Sequence, residues 1–188
     1  MKKVLFCMMV AVSAMMMTSC EGKNEPQKPD GDDTTKVTVD TVAVAALMNF
    51  EFEADAKMLE AFKLTVEYYD ENSELKSEVF NGEKIAKKII TKGLPAKTGV
   101  RFTVEKKADL DTTVVTQFES EYSFSYETYA VNKAGERANA WKFLGGRTGE
   151  HVQHPINMID KYLAAMARDE AKVYEFDANG KPTEKIWE

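Results

Sequence analysis

The 188-residue chain holds only two cysteines, two histidines and five prolines, and each scarcity removes a class of protein from consideration. Both cysteines, Cys7 and Cys20, sit close to the N-terminus, so the rest of the chain has no thiol for a disulfide, a metal-thiolate site or a thiol nucleophile. Its stability has to come from an ordinary apolar core. Cations are also short, with 25 Lys and Arg against 31 Asp and Glu and a net charge of −6. Nucleic-acid affinity rests on neutralising phosphates with Lys and Arg, so no nucleic-acid partner is expected. An acidic surface gains nothing from an anionic bilayer either. No G-x-S-x-G, H-E-x-x-H or phosphate-binding G-x-x-x-x-G-K-S/T is present, so the sequence assigns no catalytic residue.

What the chain does have begins at its start. Met1, Lys2 and Lys3 give a short positive segment, and Val4 to Met17 carry no charge. A spanning helix needs about 20 apolar residues. This run is shorter and ends on Thr18, Ser19 and Cys20, which is the pattern of an export signal over residues 1–19. The tetrapeptide Met17-Thr18-Ser19-Cys20 resembles the lipobox of bacterial lipoproteins, with Met17 where Leu is commoner. The resemblance implies cleavage before Cys20, lipid on its sulfur, and a protein anchored in the cell envelope, at the outer membrane, on its periplasmic or its surface face. Cleavage there removes Lys2 and Lys3 and no acid, which takes the net charge from −6 to −8.

Residues 20–36 are expected to be the lipidated cysteine and a flexible acidic tether. Glu21 to Lys36 contain two prolines, two glycines and five acids, and bury too little surface to offset the entropy of ordering. Residues 37–188 then form a single β-rich domain, a usual size for one core.

Within it, Phe62, Leu64, Val66 and Tyr68 alternate with polar residues, as do Val100, Phe102 and Val104, and then Tyr122, Phe124 and Tyr126. A period of two is the mark of half-buried strands. Turn residues separate these runs at Asp70 to Ser73, Asn81-Gly82, Gly93 to Pro95 and Lys133 to Gly135. Residues 83–92 fit a helix by the spacing of Ile85, Ala86, Ile89 and Ile90, whereas β-branched Ile and strand-like flanks favour a strand. Ile156, Ile159, Leu163 and Met166 share one face of a short helix. Lys172 to Phe176 and Pro182 to Trp187, joined across Asn179-Gly180, read as a closing hairpin. The expected fold is mainly β, an antiparallel β-sandwich with one short C-terminal helix.

The lipobox, the acidic tether and the stretch GLPAKTGVRFTVEKKADLD from Gly93 to Asp111 resemble small envelope lipoproteins of Bacteroides-type bacteria. Many of these carry immunoglobulin-like or related β-sandwich domains, which is what the resemblance implies for residues 37–188. In such proteins, acids just after the cysteine direct export to the surface. Glu21 and Glu25 are candidates, interrupted by Gly22 and Lys23.

The remaining constellations are weak. His151 and His154 form an H-x-x-H pair without a named third ligand, and Pro155 turns His154 away from helical geometry, so a loop leading into the helix is expected and no metal is assigned. Gly145 to Gly149 lack the Lys-Ser/Thr of a phosphate loop and read as a flexible crossover. Asp30, Asp32, Asp33, Asp109 and Asp111 lack the twelve-residue calcium-loop pattern and read as solvated turns. Among the aromatic residues, Tyr122, Phe124 and Tyr126 share a parity and belong to the core. Tyr69 and Tyr129 stand on the opposite parity and are the candidate ligand-binding residues, with a partner protein or a glycan as ligand and no cofactor. The expectation is therefore a non-enzymatic binding or structural module. A hydrolase whose groups converge only in the fold and a fimbrial or surface-assembly component are the alternatives. A long unpaired edge strand would favour assembly by strand addition, and an exposed aromatic strip a glycan.

Overall fold

In Ala45–Ala54 the residues Ala46, Met48, Phe50 and Phe52 are all buried, while Glu51 and Glu53 are exposed between and beyond them. Successive side chains of an extended chain point to opposite faces, so this pattern makes a strand with one face in the core. The computed structural model describes residues 41–167 and 171–187. They belong to one compact unit, Thr38–Glu188. Cys20, the tether residues and Asp30, Asp32 and Asp33 lie outside the described residues.

The elements, in chain order, are β1 (Ala45–Ala54), a single helical turn α1 (Met58–Ala61), β2 (Phe62–Tyr69), β3 (Leu75–Val79), β4 (Ile85–Ile90), β5 (Ala96–Lys106), β6 (Gln117–Val131) and β7 (Phe143–Pro155). A 3-10 turn at Ile156–Met158 then leads into α2 (Ile159–Met166), followed by β8 (Lys172–Phe176) and β9 (Pro182–Ile186). The strands form a four-stranded sheet in the order β4-β1-β6-β7 and a five-stranded sheet in the order β3-β2-β5-β8-β9, with antiparallel neighbours throughout. The result is the expected antiparallel sandwich with its short helix and closing hairpin. Residues 85–90 resolve as strand, paired with β1.

The core lies between the sheets. Phe52 from β1 meets Phe80 edge-on at 5.2 Å and Phe102 from β5 at 4.9 Å. Phe62, Leu64 and Val66 from β2 are fully buried beside them. Each such side chain stabilises the fold by roughly 1.5–3 kcal/mol. Tyr122 is buried, and Phe124 and Tyr126 pack against the core, as their shared parity requires. At the closing hairpin, Asp177 Oδ1 accepts the Asn179 and Lys181 N–H groups, and Gly180 supplies the positive φ of +74°.

Two features depart from the expectations above. Gly145 to Gly149 are not a loop but the middle of β7, and His151 and His154 lie on the same strand rather than in a loop leading to the helix. The physical reason is that β6, at 15 residues the longest strand, supplies partners from Gln117 to Thr128 along most of this segment. In addition, β5 is shared: Ala96–Gly99 pair with β8 on one edge, and Val100–Lys106 pair with β2 on the other. The β8-side edge of β5 is thus strand-paired over its first part only. α2 packs beside the remainder, with Ile159 buried and Ile156, Leu163 and Met166 turned to the core.

Candidate functional site: an open strand edge beside an aromatic cleft

β7 is the last strand of its sheet and is 13 residues long. Which of its backbone groups face outward follows from the ladder. Asp55 N–H donates to Glu121 O at 2.9 Å, in register with the β1–β6 pairs, so odd-numbered β6 residues bond to β1. Narrow and wide pairs alternate in an antiparallel ladder, so even-numbered β6 residues bond to β7. Their partners are Phe143, Gly145, Arg147 and Gly149. The N–H and C=O groups of Leu144, Gly146 and Thr148 therefore point away from the sheet, and no strand covers them among the described residues.

The glycines of β7 have a steric cause. A Cβ on Gly145 would lie 2.3 Å from Tyr126 Cε1, and one on Gly149 would lie 2.4 Å from Tyr122 Cε1. Each tyrosine ring leans across the glycine opposite it, which fills the space a side chain would take and extends an aromatic wall to the open edge.

Beside that edge lies a cleft of about 720 Å³ between the sheets, walled by Phe102, Phe124, Tyr126, Met166 and Ile186. Arg101 and Arg147 both border it, but Arg101 stands on the opposite parity to Phe102, so its side chain lies on the outer face of the five-stranded sheet. Arg147 faces inward, its guanidinium 5.8 Å from the Tyr122 ring. Arg101 Nε donates to Glu67 Oε2 at 2.6 Å, and its guanidinium lies 4.8 Å from the Trp187 ring. Trp187 is only 8 % exposed because Gly99 makes room for it: a Cβ there would meet Trp187 Cζ3 at 3.0 Å. At the other end, Tyr126 and Tyr174 share a hydroxyl hydrogen bond of 3.1 Å, and burial with that bond holds the Tyr174 phenol well above its ordinary range.

The two tyrosines expected to be exposed are not brought together. Tyr69 lies on the outer face of the five-stranded sheet, half-buried, its ring 5.2 Å from Trp187 and under Lys97 Nζ at 4.7 Å. Tyr129 lies on the outer face of the four-stranded sheet, half-buried over Leu47, with Lys142 Nζ 5.8 Å from its ring. They occupy opposite outsides of the sandwich and form no common aromatic strip.

The histidines also diverge, since a spacing of three on a strand sends side chains to opposite faces. His151 Nδ1 is 3.2 Å from Glu121 Oε2 on the exposed side, while Lys57 Nζ bonds Glu119 Oε1 at 2.9 Å. His154 stacks on Phe118 at 4.9 Å, and its Nε2 is 3.0 Å from Ser120 Oγ. A nucleophilic serine needs an accessible oxygen, and Ser120 is 5 % exposed within the longest strand. Tyr162 stands against the same pair, its phenol pushed up to about 12 by burial and by Tyr122. Asp111 closes an exposed turn, accepting Thr113 Oγ1–H at 2.6 Å and Thr113 N–H at 2.9 Å, and these bonds lower its pKa.

Among the described residues, no group of three or more His, Cys, Asp or Glu is placed to hold a metal, and no helix is long and apolar enough to cross a membrane. No family model, curated protein or solved structure matches the chain.

Proposed function

We propose that this chain is a lipid-anchored binding module of the cell envelope, held at the outer membrane through Cys20, which takes an extended segment of a partner protein onto the free edge of β7. The observation that carries the reading is the coincidence of that uncovered edge with the aromatic cleft beside it. Strand addition uses both parts: main-chain hydrogen bonds supply affinity, and pockets for alternate side chains supply specificity. Leu144, Gly146 and Thr148 offer the first, and the walls of Phe102, Phe124 and Tyr126 offer the second. A glycan would be better served by exposed rings on one face, whereas Tyr69 and Tyr129 are on opposite faces.

Proline separates the edge from the rest of the strand. Thr148 is exposed and its N–H points outward, so Thr148→Pro removes one outward donor without touching the ladder to β6. With a photo-crosslinking residue at Leu144, the envelope protein that crosslinks to the parent is expected to be lost in Thr148→Pro and retained in Thr148→Ala. Equal crosslinking in all three would rule out the edge as the docking site. The anchor is tested separately: Cys20→Ala is expected to move the protein from the membrane fraction to the soluble one, and unchanged membrane retention would contradict lipidation.

A further inference from the structure

Resting on the strand-addition reading, we propose that the strand added to β7 is β7 of a second copy of this chain, antiparallel and related to the first by a twofold axis at Gly146. Among the described strands, the sheet edges differ in how they are protected. β3, β4 and β9 are five or six residues long and carry Lys76, Lys87 with Lys88, and Pro182 with Lys185. Short length, lysine and proline are the usual means of keeping one edge from pairing with another. β7 is 13 residues long, and its outward-bonding residues Leu144, Gly146 and Thr148 are uncharged and exposed, Leu144 to 69 %.

This edge is complementary to itself when read in the opposite direction. Lys142, Leu144, Gly146, Thr148 and Glu150 are exposed, while Phe143, Gly145, Arg147 and Gly149 between them are half-buried, so the first five share the outer face. Pairing about Gly146 sets Leu144 of each copy against Thr148 of the other, and the three outward-bonding residues then satisfy each other's N–H and C=O groups. It also sets Lys142 against Glu150 of the second copy at both ends, and opposite charges directly across a strand pair favour the pairing. Lys142 Nζ bonds Glu127 Oε2 at 2.8 Å, and an ammonium with three N–H donors can serve both carboxylates. At the axis two identical residues meet, where a charge would repel its own copy, and Gly146 carries none. On the inner face Arg147 of each copy falls beside Gly145 of the other, so the two guanidinium groups are not directly opposed. A register displaced by two residues either way leaves Lys142 opposite an uncharged residue, Thr148 or Val152. Charge therefore selects the register as well as the occupant.

Disulfide capture in the mature, membrane-extracted chain tests the pairing, with the parent as the control for Cys20. Residues facing each other in a hydrogen-bonded pair stand about 5.5 Å apart at Cα, within the span of a disulfide. Under mild oxidation, Leu144→Cys/Thr148→Cys is expected to shift to a reducible product of doubled mass. Either single variant places its cysteines roughly 13 Å apart along the strands and is expected to stay at the mass of one chain. In the double-cysteine background, Lys142→Glu and Glu150→Lys should each lower the captured fraction, and the two together should recover it. No capture in the double variant, equal capture in the single ones, or no recovery on exchanging the charges would overturn pairing between copies. The photo-crosslinker at Leu144 then separates the two readings. A product with a different envelope protein, lost in Thr148→Pro, would leave strand addition standing, whereas no product at all would overturn both.

Discussion

The two sides of the sandwich are built differently. Along β3 and β4 the sheets are stitched shut: the connection crosses from one sheet to the other with Phe80 buried, its N–H donating to Leu64 O at 2.9 Å, and Lys87 bonds Glu78 across the gap at 2.8 Å. Along β7 and the second half of β5 the crossing is made by the 3-10 turn and α2, which lead from β7 to β8 with Ile159 buried, and an aromatic cleft stays open beside it, lined by Met166 of that helix and by Gly145 to Arg147 of β7. The same core chemistry thus serves stability on one side and leaves surface available on the other. A completed edge stabilises its own chain, whereas an incomplete one keeps backbone donors and acceptors for a partner.

That contrast can be broken from either side. The largest effect is expected on the closed side, where Phe80→Ala removes a ring that meets Phe52 edge-on and should cost roughly 3–5 kcal/mol in urea denaturation. A loss under about 1 kcal/mol would mean that the closed side is not the stabilising one. Next is Gly145→Ala, which drives a Cβ to 2.3 Å from the Tyr126 ring. Overpacking of this kind should cost roughly 1–3 kcal/mol and displace the ring that walls the cleft, so stability and partner binding should fall together.

Smaller still, Tyr69→Ala removes the ring beside Trp187 and should cost roughly 0.5–1.5 kcal/mol from the lost aromatic pair while leaving partner binding intact. Tyr129→Ala should likewise spare binding. Loss of binding in either would move the site to an outer face.

The smallest expected effect is on pH dependence at Asp70, far from the open edge. Burial works to raise this carboxyl, but N–H groups of Glu74 and Asn72 at 3.0 and 2.9 Å and the Lys76 ammonium at 3.3 Å outweigh it and hold the pKa below its ordinary value. A group depressed in the folded state lends stability above its unfolded pKa and loses it as pH falls through the folded one. The stability gap between the parent and Asp70→Asn should therefore be present at neutral pH and shrink below about pH 4. A gap independent of pH would assign the turn to its backbone alone.

Much of the fold was legible because it rests on local periodicity. The alternation in β2 and β5, the spacing of Ile159 and Leu163, and Asn179-Gly180 each fix an element from residues near in sequence. The site was not legible, because its parts are distant in sequence. Gly145 and Gly149 look like parts of a loop until Tyr126 and Tyr122, about two dozen residues upstream, supply the bulk the glycines lack. Gly99 and Trp187 are joined in the same way across most of the domain. Parity puts Tyr69 and Tyr129 on the faces turned from the core, where both are half-buried rather than exposed, but parity does not say which sheet a strand joins. Only the strand order shows that they look in opposite directions.

The most direct test of the open edge is residue-resolved amide hydrogen exchange across Phe143–Gly149 in the uncomplexed chain. The account predicts alternation, with fast exchange at Leu144, Gly146 and Thr148 and slow exchange at Gly145, Arg147 and Gly149. Uniform protection along the strand without any partner would show that the edge is already covered, and would contradict the account.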